Sequence, residues 1–95
     1  MSLAIFWTKE AKETFDATLN FIESKWGEKE VKKFLQRSQN TILNISKYPY
    51  LFKASEIEVN VRKGLISKQI SVFYLIEDDR IVILYFWDNR QEPIL

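Results

Sequence analysis

The sequence predicts an α+β fold of order β-α-α-β-β-β, with a helical hairpin packed on one face of an antiparallel sheet. Three observations predict it: an apolar run at residues 3–7, apolar spacings of three and four from position 11 to position 45 broken once at Gly27, and a period of two from position 56 onward. With 95 residues the chain reads as a single domain over 1–95. Two cores would each be too small to offset the entropy of folding.

The opening run contains Ile5, Phe6 and Trp7, which suggests a strand buried on both faces or a central one, and its place in the order puts it at the sheet's edge beside a later strand. Thr8 is a good helix N-cap, and Ala11, Phe15, Leu19, Ile22 and Trp26 follow on one helical face. Gly27 breaks that helix. A second begins near Glu28 with acids in its first turn, where the helix dipole favours them, and Val31, Phe34, Leu35, Ile42, Leu43 and Ile45 form its apolar stripe. Pro49 cannot continue a helix, so residues 47–55 read as a crossing loop anchored by Tyr48, Tyr50 and Phe52.

After the loop, Ile57, Val59 and Val61 alternate with Glu58, Asn60 and Arg62, a half-exposed strand, and Gly64 marks the next turn. Residues 71–76 are rich in strand formers. Glu77, Asp78, Asp79 and Arg80 form a polar turn, and residues 81–87 are an uninterrupted apolar run, hazardous at an open edge and therefore expected to be central or covered. Three carboxylates in one turn could hold Mg²⁺, yet such sites normally draw ligands from a second element. An acidic hairpin turn is the reading adopted, and neither a metal nor a cofactor is expected.

Composition narrows the chemistry. The chain has no cysteine and no histidine, which removes disulfides, thiolate nucleophiles, the commonest metal ligands and the commonest general base near neutral pH. The missing cysteine suits a reducing cytoplasm. Fourteen basic residues against 13 acidic ones leave a net charge of +1, so whole-molecule electrostatics do not argue for nucleic acid. The first residues carry neither a basic start nor a long apolar stretch, so neither a signal peptide nor a membrane anchor is expected.

The order of elements, Trp7 before a capped helix, Ile45-Ser46-Lys47-Tyr48-Pro49-Tyr50, Val61-Arg62-Lys63-Gly64, Val72-Phe73-Tyr74 and Asp88-Asn89-Arg90-Gln91-Glu92-Pro93 together resemble the RelE/ParE superfamily of toxin–antitoxin modules. The likeness covers nearly the whole chain. It implies the toxin of a bacterial plasmid-stabilisation module and a cognate antitoxin as partner, the toxin forming a homodimer or a toxin–antitoxin heteromer. Two activities come with it: RelE-like members cleave messenger RNA on the ribosome, and ParE-like members poison DNA gyrase without cutting anything themselves.

The resemblance also shows departures. RelE-like members carry basic residues where this chain has Glu58 and Asn60, and an arginine where it has Ser71; Arg90 matches the arginine after the final strand, and Leu95 comes before the place of the C-terminal tyrosine. Arg62, Lys63, Lys68, Arg80 and Arg90 remain as a dispersed basic set. Cutting RNA through its 2′-hydroxyl needs a proton acceptor, a proton donor and cations, and only the cations are plain here. A ParE-like binder of gyrase is therefore the leading reading. The alternatives are a RelE-like ribosome-dependent endonuclease, with Arg62 and Arg90 on the phosphate and Tyr85 or Tyr74 moving protons, and a degenerate module that only binds antitoxin.

For target binding, Arg62, Lys63, Asp88, Asn89 and Arg90 are singled out. Arg62 and Arg90 are expected at one end of the sheet, where a guanidinium can grip phosphate or carboxylate in two-pronged fashion. An ion pair with Asp88 is the plainer role. Residues 88–93, after Trp87, form the expected recognition tip.

Overall fold

An edge position, with one pairing side open, shapes the first strand. In the computed structural model, which describes residues 2–55 and 60–90, β1 (Ala4–Trp7) alternates exposed Ala4 and Phe6 with half-buried Ile5 and Trp7 instead of being buried on both faces. Its partner is the last strand. The helices α1 (Lys9–Trp26) and α2 (Glu28–Lys47) follow, then β2 (Val61–Leu65), β3 (Ile70–Glu77) and β4 (Arg80–Asp88), in the sheet order β1-β4-β3-β2. The expected antiparallel pairing holds for β2, β3 and β4, whereas β1 runs parallel to β4 and makes the sheet mixed.

Both helices lie on one face. Ala11, Ile22, Phe34 and Ile45 from the hairpin meet Val72, Tyr74, Ile81, Ile83 and Phe86 from the sheet in one core, with Trp7, Phe15 and Phe86 in mutual ring contact. Thr8 caps α1 by accepting from the Ala11 N–H at 3.0 Å. Gly27 makes the hairpin turn at φ 90°, a left-handed conformation that costs glycine little. Three residues expected on the apolar stripes lie outward: Trp26, Leu35 and Leu43 are all exposed. Spacing identifies a helix face, but the width of the opposing sheet decides how much of that face is covered.

The edge of β4 is served by two kinds of partner. β1 pairs with it from Arg80 to Ile83 and stops at Trp7. Beyond that point, threonines of the first helix take over: the Thr8 hydroxyl reaches the carbonyls of Ile83 and Leu84 at 2.9 and 3.0 Å, and Thr14 Oγ1 accepts from the Phe86 N–H at 2.9 Å. A register shift opposite Phe73 and Tyr74 places Leu84 in a bulge at this changeover. From the last turn of α2, Ser46 closes β1 down: its hydroxyl donates to the Leu3 carbonyl at 2.6 Å and its carbonyl accepts from the Leu3 N–H at 3.0 Å.

The expected strand from position 56 begins at Val61, with Asn60 in an exposed turn; Ile57, Glu58 and Val59 lie outside the described residues. Gly64 is inside β2 rather than at a turn. It faces Val72, and a Cβ there would meet the Phe52 ring at 3.1 and 3.2 Å. The turn comes later, where the Ile66 N–H donates to the Ile70 carbonyl and the Ser67 hydroxyl accepts from Gln69 and Ile70. Of the three loop aromatics, only Phe52 is an anchor; Tyr48 and Tyr50 are exposed. The acidic turn is as expected: Asp78 and Asp79 join β3 to β4, and the Arg80 guanidinium closes it on Glu77 at 2.7 Å.

Candidate functional site

The residues singled out for target binding fall into three groups. The first surrounds Arg62, which lies opposite Tyr74 on the helix-covered face. Its Nη1 donates to the Phe52 carbonyl at 2.6 Å, and its guanidinium stands 4.8 Å from the centre of the Tyr50 ring. Tyr74 is fully buried and donates to the Pro49 carbonyl at 2.9 Å. Burial pushes its phenol up to about 12, while the nearby Arg62 charge pulls the other way. Both side chains thus pin the crossing loop to the sheet.

The second group lies on the sheet face away from the helices, where strand alternation and register put Lys63, Phe73 and Tyr85 across three neighbouring strands. Phe73 and Tyr85 stack at 4.8 Å, Trp87 meets Tyr85 edge-on at 6.4 Å, and the Lys63 ammonium stands 6.0 Å from the Phe73 ring. Ser71 is buried here and donates to Asn89 Oδ1 at 2.8 Å. Tyr85 is therefore held between two aromatic rings.

The third group closes the far end of β4. Arg90 grips Asp88 with two prongs, Nε to Oδ1 at 2.9 Å and Nη2 to Oδ2 at 2.5 Å, and its backbone N–H adds a third contact at 2.9 Å. These hydrogen bonds hold the Asp88 carboxyl below the usual carboxylate range and push the Arg90 guanidinium up. Arg62 and Arg90 do not share one end of the sheet: Arg62 is level with Ile83, and Arg90 lies beyond Asp88, at least five strand residues or roughly 16 Å farther along. Of the expected tip, Gln91, Glu92 and Pro93 lie outside the described residues.

A cleft that sequence reasoning missed joins this third group to the hairpin. Its two lobes, of about 530 and 400 Å³, share Phe21, Ile70 and Arg90. A second groove, of about 470 Å³, runs between β1 and α2, flanked by exposed Leu35 and Leu43; buried Ser38 lines it, its hydroxyl without a partner among the described residues. Among those same residues no helix is long and apolar enough to cross a membrane.

Comparison with known proteins agrees with the architecture. The profile of the ParE toxin of type II toxin–antitoxin systems, parDE, matches residues 5–93. No curated protein is similar in sequence. Among solved structures, the chain is similar to one of the chromosomal ParDE system from P. aeruginosa, with TM-score 0.76 and 18% identity over 92% of this chain and 96% of that one. It is also similar to the YoeB dimer from Staphylococcus aureus, with TM-score 0.63 and 15% identity over 90% and 94% of the two chains. A mutant toxin from Helicobacter pylori aligns with TM-score 0.59 and 18% identity over 93% and 96%.

Proposed function

Because the chain belongs to the ParE toxin family of type II toxin–antitoxin systems, we propose that it acts in the cytoplasm by binding DNA gyrase, without cutting nucleic acid, and is neutralised by a cognate antitoxin. The observation that carries this reading is the commitment of the groups a nuclease would use. Tyr74 is buried with a raised pKa, Tyr85 is held between Phe73 and Trp87, Arg62 is bound to the Phe52 carbonyl, and Arg90 is paired with Asp88. An RNA-cutting site needs a proton acceptor next to free cations, and none of these side chains supplies that combination.

The groove between β1 and α2 suits the antitoxin. It combines an open strand edge with exposed Leu35 and Leu43, the surface an apolar segment of a second chain would cover. Purified protein should block supercoiling by gyrase at micromolar concentration, and added antitoxin should restore it. Leu43→Glu should abolish the rescue but not the inhibition. Absence of any effect on gyrase, or new message ends on translating ribosomes, would overturn the proposal and favour the RelE-like alternative.

A further inference from the structure

We infer that the cleft between the Gly27 end of the helical hairpin and the far end of β4 docks an acidic segment of a partner protein, one that carries a bulky apolar side chain. The floor is apolar, with Ile70 and Phe86 of the core beneath Thr14, Ala17 and Thr18 of α1. Its wall is aromatic. Phe21 and Trp26 meet edge to face at 5.8 Å and stay 43% and 47% exposed among the described residues. Aromatic pairs left half in water beside a cleft are characteristic of contact surfaces.

Charge decides the chemistry of the occupant. The acids that line the cleft are already matched: Glu30 pairs with Lys33 at 3.3 Å, and Asp88 with Arg90. Arg37, on the wall of the second lobe, makes no ion pair among the described residues. Lys25 makes none either, and its ammonium stands 5.9 Å from the centres of both the Phe21 and Trp26 rings. The Arg90 guanidinium lies 5.7 Å from the Phe21 ring. The cleft thus has an apolar floor and a surplus of positive charge, which complements a peptide whose carboxylates flank a leucine or an aromatic residue. Free nucleic acid suits it less well, since a net charge of +1 gives little long-range attraction for a phosphate backbone.

This surface shares neither the groove proposed for the antitoxin nor the Arg62 corner, so it stands or falls independently of the gyrase reading. The test titrates the isotope-labelled full chain with a synthetic peptide of glutamates interrupted by leucines, with its lysine-for-glutamate counterpart and with oligothymidylate. The acidic peptide should bind and shift the Trp26 indole and Arg37 signals. Its affinity should fall roughly three-fold in Arg37→Gln and roughly ten-fold in Arg37→Glu, both at an exposed helix position that leaves the fold intact. Unmoved cleft signals, equal binding of the lysine peptide or of oligothymidylate, or affinity unchanged in both variants would each overturn the inference.

Discussion

Replacing Tyr74 by phenylalanine separates its structural role from a chemical one. The phenol has an ordinary pKa of 10.0 and is pushed up to about 12 by burial. A raised folded-state pKa means that the folded chain holds this proton more tightly than the unfolded chain does. The associated stability is therefore complete below pH 10, erodes as pH rises from 10 to 12 and is gone above 12. Two pKa units correspond to about 2.7 kcal/mol, a large share of what holds a chain of this size together. Urea unfolding followed from pH 8 to pH 12 should show that loss in the wild type, and Tyr74→Phe should abolish it. At neutral pH the variant should cost about 1 kcal/mol, for the lost hydrogen bond to the Pro49 carbonyl. A difference absorbance titration, wild type minus variant, reads the phenolate directly. A step near pH 10 in the folded protein would refute the reasoning and return Tyr74 to the list of proton carriers.

Other perturbations probe the same framework. Thr14→Val keeps the shape of the side chain but removes the acceptor for the Phe86 N–H; urea denaturation should show a loss of about 1–3 kcal/mol, with Thr14→Ser close to wild type. Arg62→Ala should cost about 1–2 kcal/mol by the same assay, through the Phe52 carbonyl and the Tyr50 ring, and leave inhibition of gyrase by the remaining folded protein unchanged. Gly64→Val forces side-chain atoms against Phe52 and Val72, and a loss of about 1–3 kcal/mol in thermal or urea unfolding is expected.

Local chemistry in the sequence located the elements. Thr8 and Gly27 bound the first helix because a cap and a left-handed turn are decided within a few residues, and the two acids of the last hairpin turn are legible for the same reason. What the sequence concealed is non-local. The parallel approach of β1 to β4 joins positions about 75 residues apart, and no spacing reports its direction. Gly64 reads as a turn until Phe52, twelve positions earlier, is seen to fill the space a side chain would take. The candidate site shows the same division. The Asp88–Arg90 pair is legible two residues apart, whereas the separation of Arg62 from Arg90 depends on register. The cleft left one overlooked trace: Phe21 is a large aromatic off the helix stripe, four residues before Lys25 and five before Trp26.

The changeover on the edge of β4 also bears on how the chain folds. The strand that gathers β1, β3 and the threonines of α1 is the last of the described elements to leave the ribosome. Until it emerges, β1 has no partner and the hairpin has only part of a sheet to pack against. The contacts that close the structure, such as Thr8 with Ile83, span 75 positions and carry the loop-closure entropy of nearly the whole chain. Assembly therefore waits for β4 and is slow for so small a fold. During that interval the cleft at Arg90 does not yet exist, and a partner waiting at the ribosome exit meets the chain before that surface has formed.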